Sequence, residues 1–321
     1  MSEMYEARAC MLDRNSMRAA RHLAAAFALL TLAGPAFTGL AQTAQPKPEL
    51  LLYHPSAPQP SYEVATIKPV DSNTADQVVR LPSGVTRRPL SPLNVRRYIM
   101  NAYGAMYAAQ VVGGPDWLDK DAYNVKGKAP DDLEAAMQKM TFADRSGQIS
   151  AMQQSLLADR FHLKAHFETR VLPVYELVPA KGGLKITEVP APPERKPGDP
   201  LPPPPSPSTP LPPGTMMTMM NSNGLRTVTA RAVKMQGLAR MIGGPMSEVG
   251  DRPIVDHTGF TGYFDIKDLT WAPIGNAGAT DAPDAPSLTG ALEKQLGIKL
   301  VPAKDPIEVL VIDSIDRPSE N

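Results

Sequence analysis

The sequence predicts an α+β protein made of two similar small units joined by a proline-rich linker. Short strand-like runs alternate with two helical stretches on each side of the chain's middle, which is typical of helices packed on a small sheet. Residues 190–213 hold 13 prolines in 24 positions, and neither a helix nor a sheet can run through such a tract. The apolar pattern before this tract recurs after it at a constant offset of 135 residues, which indicates an internal duplication.

The N-terminal segment has the features of a secretory signal peptide. Arg18 and Arg21 provide a positive region, and the following residues 23–34 are uncharged and mostly apolar. This stretch is shorter than the ~20 residues that span a bilayer, so it predicts cleavage rather than a retained anchor. We therefore expect a signal peptide over residues 1–41, with Met17 as an alternative start, and no membrane span after cleavage.

Composition restricts the function classes. Lys plus Arg equals Asp plus Glu at 33 each, which argues against a nucleic-acid-binding protein driven by bulk charge. Cys10 is the only cysteine and lies within the predicted signal peptide, so the mature chain is expected to lack both a disulfide and a thiol nucleophile. The expected location is the periplasm or the extracellular space.

The predicted domain boundaries follow the changes in composition. Residues 42–60 are polar and dotted with proline, which predicts a flexible lead-in. The first unit covers residues 61–189, the proline- and methionine-rich linker covers 190–222, and the second unit covers 223–321. Each unit is predicted to have the order strand, helix, strand, strand, helix, strand, strand.

The second unit shows this order most clearly. Its elements are the strand "RTVTAR", a helix over 234–243, the strands "RPIVD" and "GYFDIKDLTW", a helix over 287–296, and the strands "IKLVPA" and "IEVLVIDSI". Ser287 is a typical N-cap for the second helix, and Gly297 is a typical stop. The first unit opens with a strand over 61–69, "SYEVATIKP", which Pro69 ends.

Residues of similar apolar character recur at the offset of 135. The matched pairs are Leu157 with Leu292, Phe161 with Leu296, Leu163 with Ile298, Leu172 with Ile307, Val174 with Val309, Leu177 with Ile312 and, more loosely, Tyr175 with Leu310. Similar constraints on two copies of one fold would produce the same pattern as a duplication, so both explanations stay open.

Several motifs resemble those of a known family. They are "YEVATIKP", "GGPDWLDKDAYNV", "RPIVDHTGFTGYFDI" and "PIEVLVIDSIDRPSEN", and the similarity spans most of residues 61–321 outside the proline-rich tract. The chain resembles secreted soil-bacterial proteins of unknown function, whose domain also occurs fused to sensor-type membrane metallopeptidases. This resemblance implies no activity for any residue. The order of elements resembles, more weakly, the small N-terminal module of secretins and TonB-dependent receptors, which would imply a periplasmic interaction module.

The stretch "IVDHTGFTGYFDI", residues 254–266, places an acid beside a histidine. Its counterpart in the first unit has Gly113 and Gly114 where this stretch has Asp256 and His257. The architecture then does not require the acid–histidine pair. We expect a hairpin turn here, with Asp256 shaping the turn by hydrogen bonds to the backbone. The turn does not explain His257, which is therefore a candidate functional residue.

Asp116 and Trp117, in "PDWLDKDAY", are the other candidate functional residues. The cluster of acids in this stretch could serve a hydrolase that needs paired carboxylates, although such clusters more often shape turns. Histidines four residues apart, at His162 and His166, suit zinc on a helix, but "FHLKAHFETR" predicts a strand with both rings on a solvated face.

The function predicted from these observations is that of an exported, non-catalytic binding or interaction protein of the cell envelope. The sequence predicts no catalytic residue, cofactor or metal ligand, and its partner is expected to be a protein or an envelope ligand. Exposed sheet edges are one way to bind such a partner. The alternative is a secreted hydrolase or metal-assisted enzyme with a site between the two units.

Overall fold

The computed structural model describes residues 50–55, 57–70, 93–194, 196, 199, 210–221, 223–243, 249–273 and 286–318, and the backbone of 79–80 and 86–87. The predicted signal peptide, Met17 and most of the proline-rich tract lie outside these residues.

The first half of the chain has seven short or medium strands and four helices among the described residues. The strands are β1 (Val64–Val70), β2 (Val79–Arg80), β3 (Thr86–Arg87), β4 (Leu93–Asn94), β5 (Val111–Gly113), β6 (Ala122–Lys128) and β7 (Lys164–Pro179). The helices are α1 (Val95–Tyr103), α2 (Trp117–Lys120), α3 (Asp131–Met137) and α4 (Phe142–Arg160).

The second half repeats much of this order. Its strands are β8 (Glu188–Val189), β9 (Thr215–Met220), β10 (Arg226–Val233), β11 (Ile254–Asp256), β12 (Tyr263–Trp271) and β13 (Ile298–Ser314). Its helices are α5 (Met235–Ile242) and α6 (Leu288–Ala291), and α6 continues into a π-helical turn over Leu292–Leu296. The predicted α+β class is confirmed, since helices and strands are both present in several sheets.

The helix ends follow local capping chemistry. The Ser287 side chain accepts a hydrogen bond from the N–H of Gly290 at 3.3 Å, and Gly297 ends the helical segment in the left-handed region at φ 74°. Both predicted caps are therefore confirmed. Asn94 caps α1 in the same way, accepting from the N–H of Arg97 at 2.8 Å.

A four-stranded sheet in the order β11-β7-β13-β5 forms the centre of the molecule. Its two inner strands are long, with 16 residues in β7 and 17 in β13, and they pair antiparallel along their length. The two strands predicted at the end of the chain are thus one continuous strand. Pro302 and Pro306 are tolerated inside it because β13 has a partner on only one side at these positions within the described part of the chain.

The central sheet has a local two-fold relation between β7 and β13. The sequence offset of 135 relates Val171 to Pro306, and these two residues are also Cα partners in the antiparallel ladder. The short outer strands obey the same relation, because β11 pairs with β7 at residues 175–177 and β5 pairs with β13 at residues 310–312. Each half therefore lends its short strand to the long strand of the other half, and the two predicted units share one sheet.

Each half also has its own smaller sheet and apolar core. The order is β1-β6-β4 in the first half and β8-β12-β10-β9 in the second. The first core includes Ile99, Leu118, Leu157, Phe161 and Leu310, and the second includes Val228, Leu238, Phe264, Ile266 and Leu292. A third, small core on the central sheet consists of Leu50, Tyr107, Val174, Val255 and Ile307.

Two segments differ from the prediction. Leu50 and Leu52 are buried, so the described part of the predicted lead-in is packed, and the side chain of Glu308 accepts a hydrogen bond from the N–H of Leu52 at 2.7 Å. The methionine-rich end of the predicted linker forms β9, which pairs with β10 at the edge of a sheet. Of the helices that the structure describes, none has the length and apolar character needed to cross a membrane.

We predict that Gly297→Ala lowers the free energy of unfolding by about 3 kcal/mol or more, because an added Cβ would collide with the carbonyl oxygen of Gly183. The matched control is Gly250→Ala, whose glycine has a similar φ of 71° and open space around it. The control should cost only about 1 kcal/mol, the strain of a left-handed alanine. Urea denaturation measures both; equal losses would contradict the packing argument.

Candidate functional site

The loop after β11 explains one of the two candidate residues in "IVDHTGFTGYFDI". The Asp256 carboxylate accepts hydrogen bonds from the N–H of Thr258 at 3.0 Å and from its hydroxyl at 2.7 Å. The Thr258 hydroxyl in turn accepts from the N–H of Phe260 at 3.2 Å. The predicted turn-shaping role of Asp256 is confirmed.

The prediction of a hairpin in this stretch is wrong. Strand β11 pairs parallel with β7 in the central sheet, whereas β12 pairs antiparallel with β10 in the sheet of the second half. The loop between them therefore connects two different sheets. The sequence could not distinguish these cases, since both place a glycine-containing turn between two short apolar runs.

His257 lies between two carboxylates that the sequence analysis did not single out. Its Nδ1 is 3.4 Å from Oε1 of Glu176, and its Nε2 is 3.3 Å from Oδ2 of Asp305. We call these three residues the acid–histidine centre. One ligand-type atom from each residue lies within 4.8 Å of the corresponding atoms of the other two.

The register of the central sheet puts the three residues on the same face. Val255 of β11 is the parallel partner of Glu176, and His257 lies two residues later, on the same side. The N–H of His257 donates to the carbonyl oxygen of Leu177 at 2.9 Å, which fixes the backbone beside the ring. On the other flank, Asp305 is the partner of Leu172, four residues before Glu176 and on the same face.

The centre is partly shielded from water, and its carboxylates outnumber its imidazole. The exposed fraction of the side chain is 14% for Asp305, 26% for Glu176 and 37% for His257. Oδ2 of Asp305 is buried and has no hydrogen-bond partner among the described residues, although His257 stands at ion-pair distance. A carboxylate oxygen removed from water needs a donor or a cation, so the centre favours a positively charged group.

The centre occurs at only one of the two places that the local two-fold relates. The two-fold relation of the central sheet places Val311 at the position equivalent to Glu176 and Arg170 at the position equivalent to Asp305. Gly114 occupies the position equivalent to His257, and a side chain there would collide with Leu118. The three equivalent positions therefore carry neither an acid nor a histidine.

Asp116 and Trp117 do not form a site of paired carboxylates. The Asp116 side chain is 95% exposed and lies 3.9 Å from the Lys120 ammonium, where solvent screens the pair. The other acids of this stretch pair with arginines, Asp119 with Arg96 at 2.7 Å and Asp121 with Arg317 at 2.8 Å. The guanidinium of the latter arginine also lies 5.0 Å from the centre of the Trp117 ring. Each of the three acids thus lies beside a different basic side chain.

The other histidine pair is also separate from the centre. The strand that contains His166 begins at Lys164, so His162 lies before its first residue. The φ of His162 is 48°, outside the range of a strand. The prediction that both rings lie on one strand is therefore wrong. His166 lies on β7 between Asp313 at 2.9 Å and Glu168 at 3.1 Å. Hydrogen bonds to Asp313 first, and then to Glu168, raise the pKa of His166 above its ordinary value.

Sequence comparison identifies one family. A family model described as "Protein of unknown function (DUF3738)" matches residues 96–315. The matched segment runs through both predicted units and the tract between them, and it includes all three residues of the acid–histidine centre. No curated protein and no solved structure matches the chain significantly.

We predict that Asp313→Asn lowers the pKa of His166 toward 6.5, because it removes the largest cause of the upward shift. A pKa raised by folding stabilises the protein below pH 6.5, and this contribution disappears as the pH rises through the folded value. An NMR titration of the histidine Cε1–H resonances measures the change. Asp316→Asn, which alters the neighbour of His162 instead, is the control; an equal effect on His166 would refute the assignment.

Proposed function

The chain belongs to the family of proteins of unknown function whose model spans residues 96–315, and from the geometry of its site we propose that it is an exported, non-catalytic binding protein of the cell envelope. It binds its ligand at the acid–histidine centre. The observation that carries this proposal is that the three residues are present at one of the two positions related by the local two-fold and replaced at the other. Residues that a fold does not need, and that leave a buried carboxylate oxygen without a hydrogen bond, are candidates for ligand binding.

The charges of the centre indicate the class of ligand. Two carboxylates face one imidazole, so the group that completes the centre is a cation or the positively charged part of a larger partner. His257, the most exposed of the three residues, offers the side from which such a group can approach. Export is supported by the predicted signal peptide of residues 1–41.

A non-catalytic role fits the chemistry around the centre. The hydroxyl next to His257 belongs to Thr258, and it is already committed to Asp256 and to the backbone of Phe260. A hydrolase that works through a nucleophilic side chain needs a free hydroxyl or thiol beside a base. Thr258 and His257 do not supply such a nucleophile, because the hydroxyl is already hydrogen-bonded. Binding requires only the acids and the ring.

The alternative of a metal-assisted hydrolase has one observation in its favour. The centre takes Glu176 from the first predicted unit and His257 and Asp305 from the second, which matches the expected site between the units. A screen of ester, phosphoester and peptide substrates, with and without added divalent ions, distinguishes the alternatives. Turnover that Asp305→Asn abolishes would favour the enzyme.

We also propose that the two halves arose by duplication of one ancestral unit. The support is that two relations agree: the offset of 135 in the sequence, and the same offset between residues 175–177, which pair with β11, and residues 310–312, which pair with β5. The residues of the acid–histidine centre then arose after the duplication, or were lost from the equivalent positions.

Binding of a cationic ligand is tested by thermal unfolding of the chelator-treated protein with metal chlorides, organic amines and envelope extracts. At least one should raise the melting temperature of the wild type, because a ligand that binds the native state stabilises it. Asp305→Asn should lose this increase, since it removes a carboxylate of the centre. Asp313→Asn, which changes the other histidine–carboxylate group on the same sheet, should keep it. A wild type that nothing stabilises, or equal responses from both variants, would refute the proposal.

A further inference from the structure

We propose that the acid–histidine centre is a binding site for a divalent transition-metal ion of the zinc type, with Glu176, His257 and Asp305 as its protein ligands. This inference rests on the proposed function and names the class of cation. One imidazole nitrogen and two carboxylate oxygens form a donor set that suits zinc and its neighbours in the first transition row. Magnesium and calcium instead prefer oxygen donors throughout, so the histidine sets the selectivity of the site.

One ligand atom of each residue lies within 4.8 Å of the other two, so the three side chains can close on one tetrahedral ion after a small rearrangement. Zinc bonds to nitrogen and carboxylate oxygen of about 2.0–2.1 Å place neighbouring ligand atoms about 3.4 Å apart. The two nitrogen–oxygen distances at His257 are 3.3 and 3.4 Å. Each ring nitrogen now faces a different carboxylate, so metal binding requires the ring to turn until one nitrogen serves both. A ring that is 37% exposed has room for this rotation.

The buried oxygen of Asp305 that lacks a hydrogen bond is the second observation that points to an ion. Oδ2 is buried and lacks a hydrogen-bond donor among the described residues, and its carboxylate stands near a second one at Glu176. Leaving such an oxygen unpaired is costly, and two nearby carboxylates repel each other. A divalent ion at this place would offset both the missing hydrogen bond and the repulsion. A single imidazole offsets them less completely.

The backbone holds the ligands on a rigid support. Glu176 and Asp305 are on the two inner strands of the central sheet, whose pairing is continuous between residues 298 and 312 of β13. His257 follows β11 directly and is tied to β7 by its N–H. Val174 and Val255, on the same face, belong to the small core. Ligands on packed strands are held more accurately than ligands on loops.

Three protein ligands leave one position of a tetrahedral ion open. Structural zinc sites use four protein ligands, whereas sites with three keep a position for water or for a bound molecule. The exposed side of His257 puts this open position toward solvent. The partner that completes the ion is therefore expected to offer an anionic or neutral donor, such as a carboxylate, rather than a cation.

Calorimetry with zinc chloride and metal analysis of the chelator-treated full chain test the site. The wild type should bind one zinc ion per chain, and magnesium should not compete. Asp305→Asn and Glu176→Gln, which preserve side-chain shape, and His257→Ala should each weaken zinc binding by about tenfold or more. The matched control is His166→Ala, because His166 is also flanked by two carboxylates but lies outside the centre. The control should bind zinc as the wild type does.

Cobalt gives an independent readout. Cobalt(II) in the centre should show the strong visible absorption of tetrahedral coordination in the wild type and in His166→Ala, and His257→Ala should lack it. If His257→Ala does not fold, as circular dichroism would reveal, the two isosteric carboxylate variants decide. A wild type without zinc, or a control that loses as much affinity as the centre variants, overturns the inference. If an organic cation stabilises the wild type but zinc does not bind, the metal inference fails and the proposed binding function stands.

Discussion

The antiparallel ladder between β7 and β13 is the interaction on which the rest of the structure depends. It is made of the two longest strands, and each apolar core draws residues from it. The ladder joins the ends of the two halves of the chain, so its pairs are separated by more than a hundred residues. Closing such long loops costs entropy before any contact is gained, and the length of the ladder provides the compensating hydrogen bonds and burial. Because its register is fixed, the ladder also fixes the positions at which β5 and β11 pair.

The same register puts two carboxylates that are distant in the sequence on one face of the sheet. A shift of the ladder by one residue would move Asp305 to the opposite face and separate it from Glu176. The centre is thus as well defined as the pairing itself. The positions equivalent to Asp305 and Glu176 carry Arg170 and Val311, so the local symmetry of the backbone coexists with different side chains at equivalent positions. Function is more readily inferred from this difference than from the fold, because the same backbone accommodates both sets of side chains.

Local sequence features predicted much of the fold but only part of the site. Ser287 and Gly297 act through neighbouring backbone groups, so their caps could be predicted from the sequence around them. The exchange of β5 and β11 between the halves could not, because three-residue strands have no period that indicates a partner. His257 was noticed because its counterpart is a glycine. Glu176 and Asp305 were missed, although each is a charge inside an apolar strand, because only the register shows that they meet.

The exchange of short strands has a consequence for a chain that is cut between its two halves. A cut there would divide the sequence but not the central sheet, because β5 would remain paired with β13, and β11 with β7. The two fragments would stay together as a noncovalent complex, and the pairing that holds them would also preserve the acid–histidine centre, which takes residues from both.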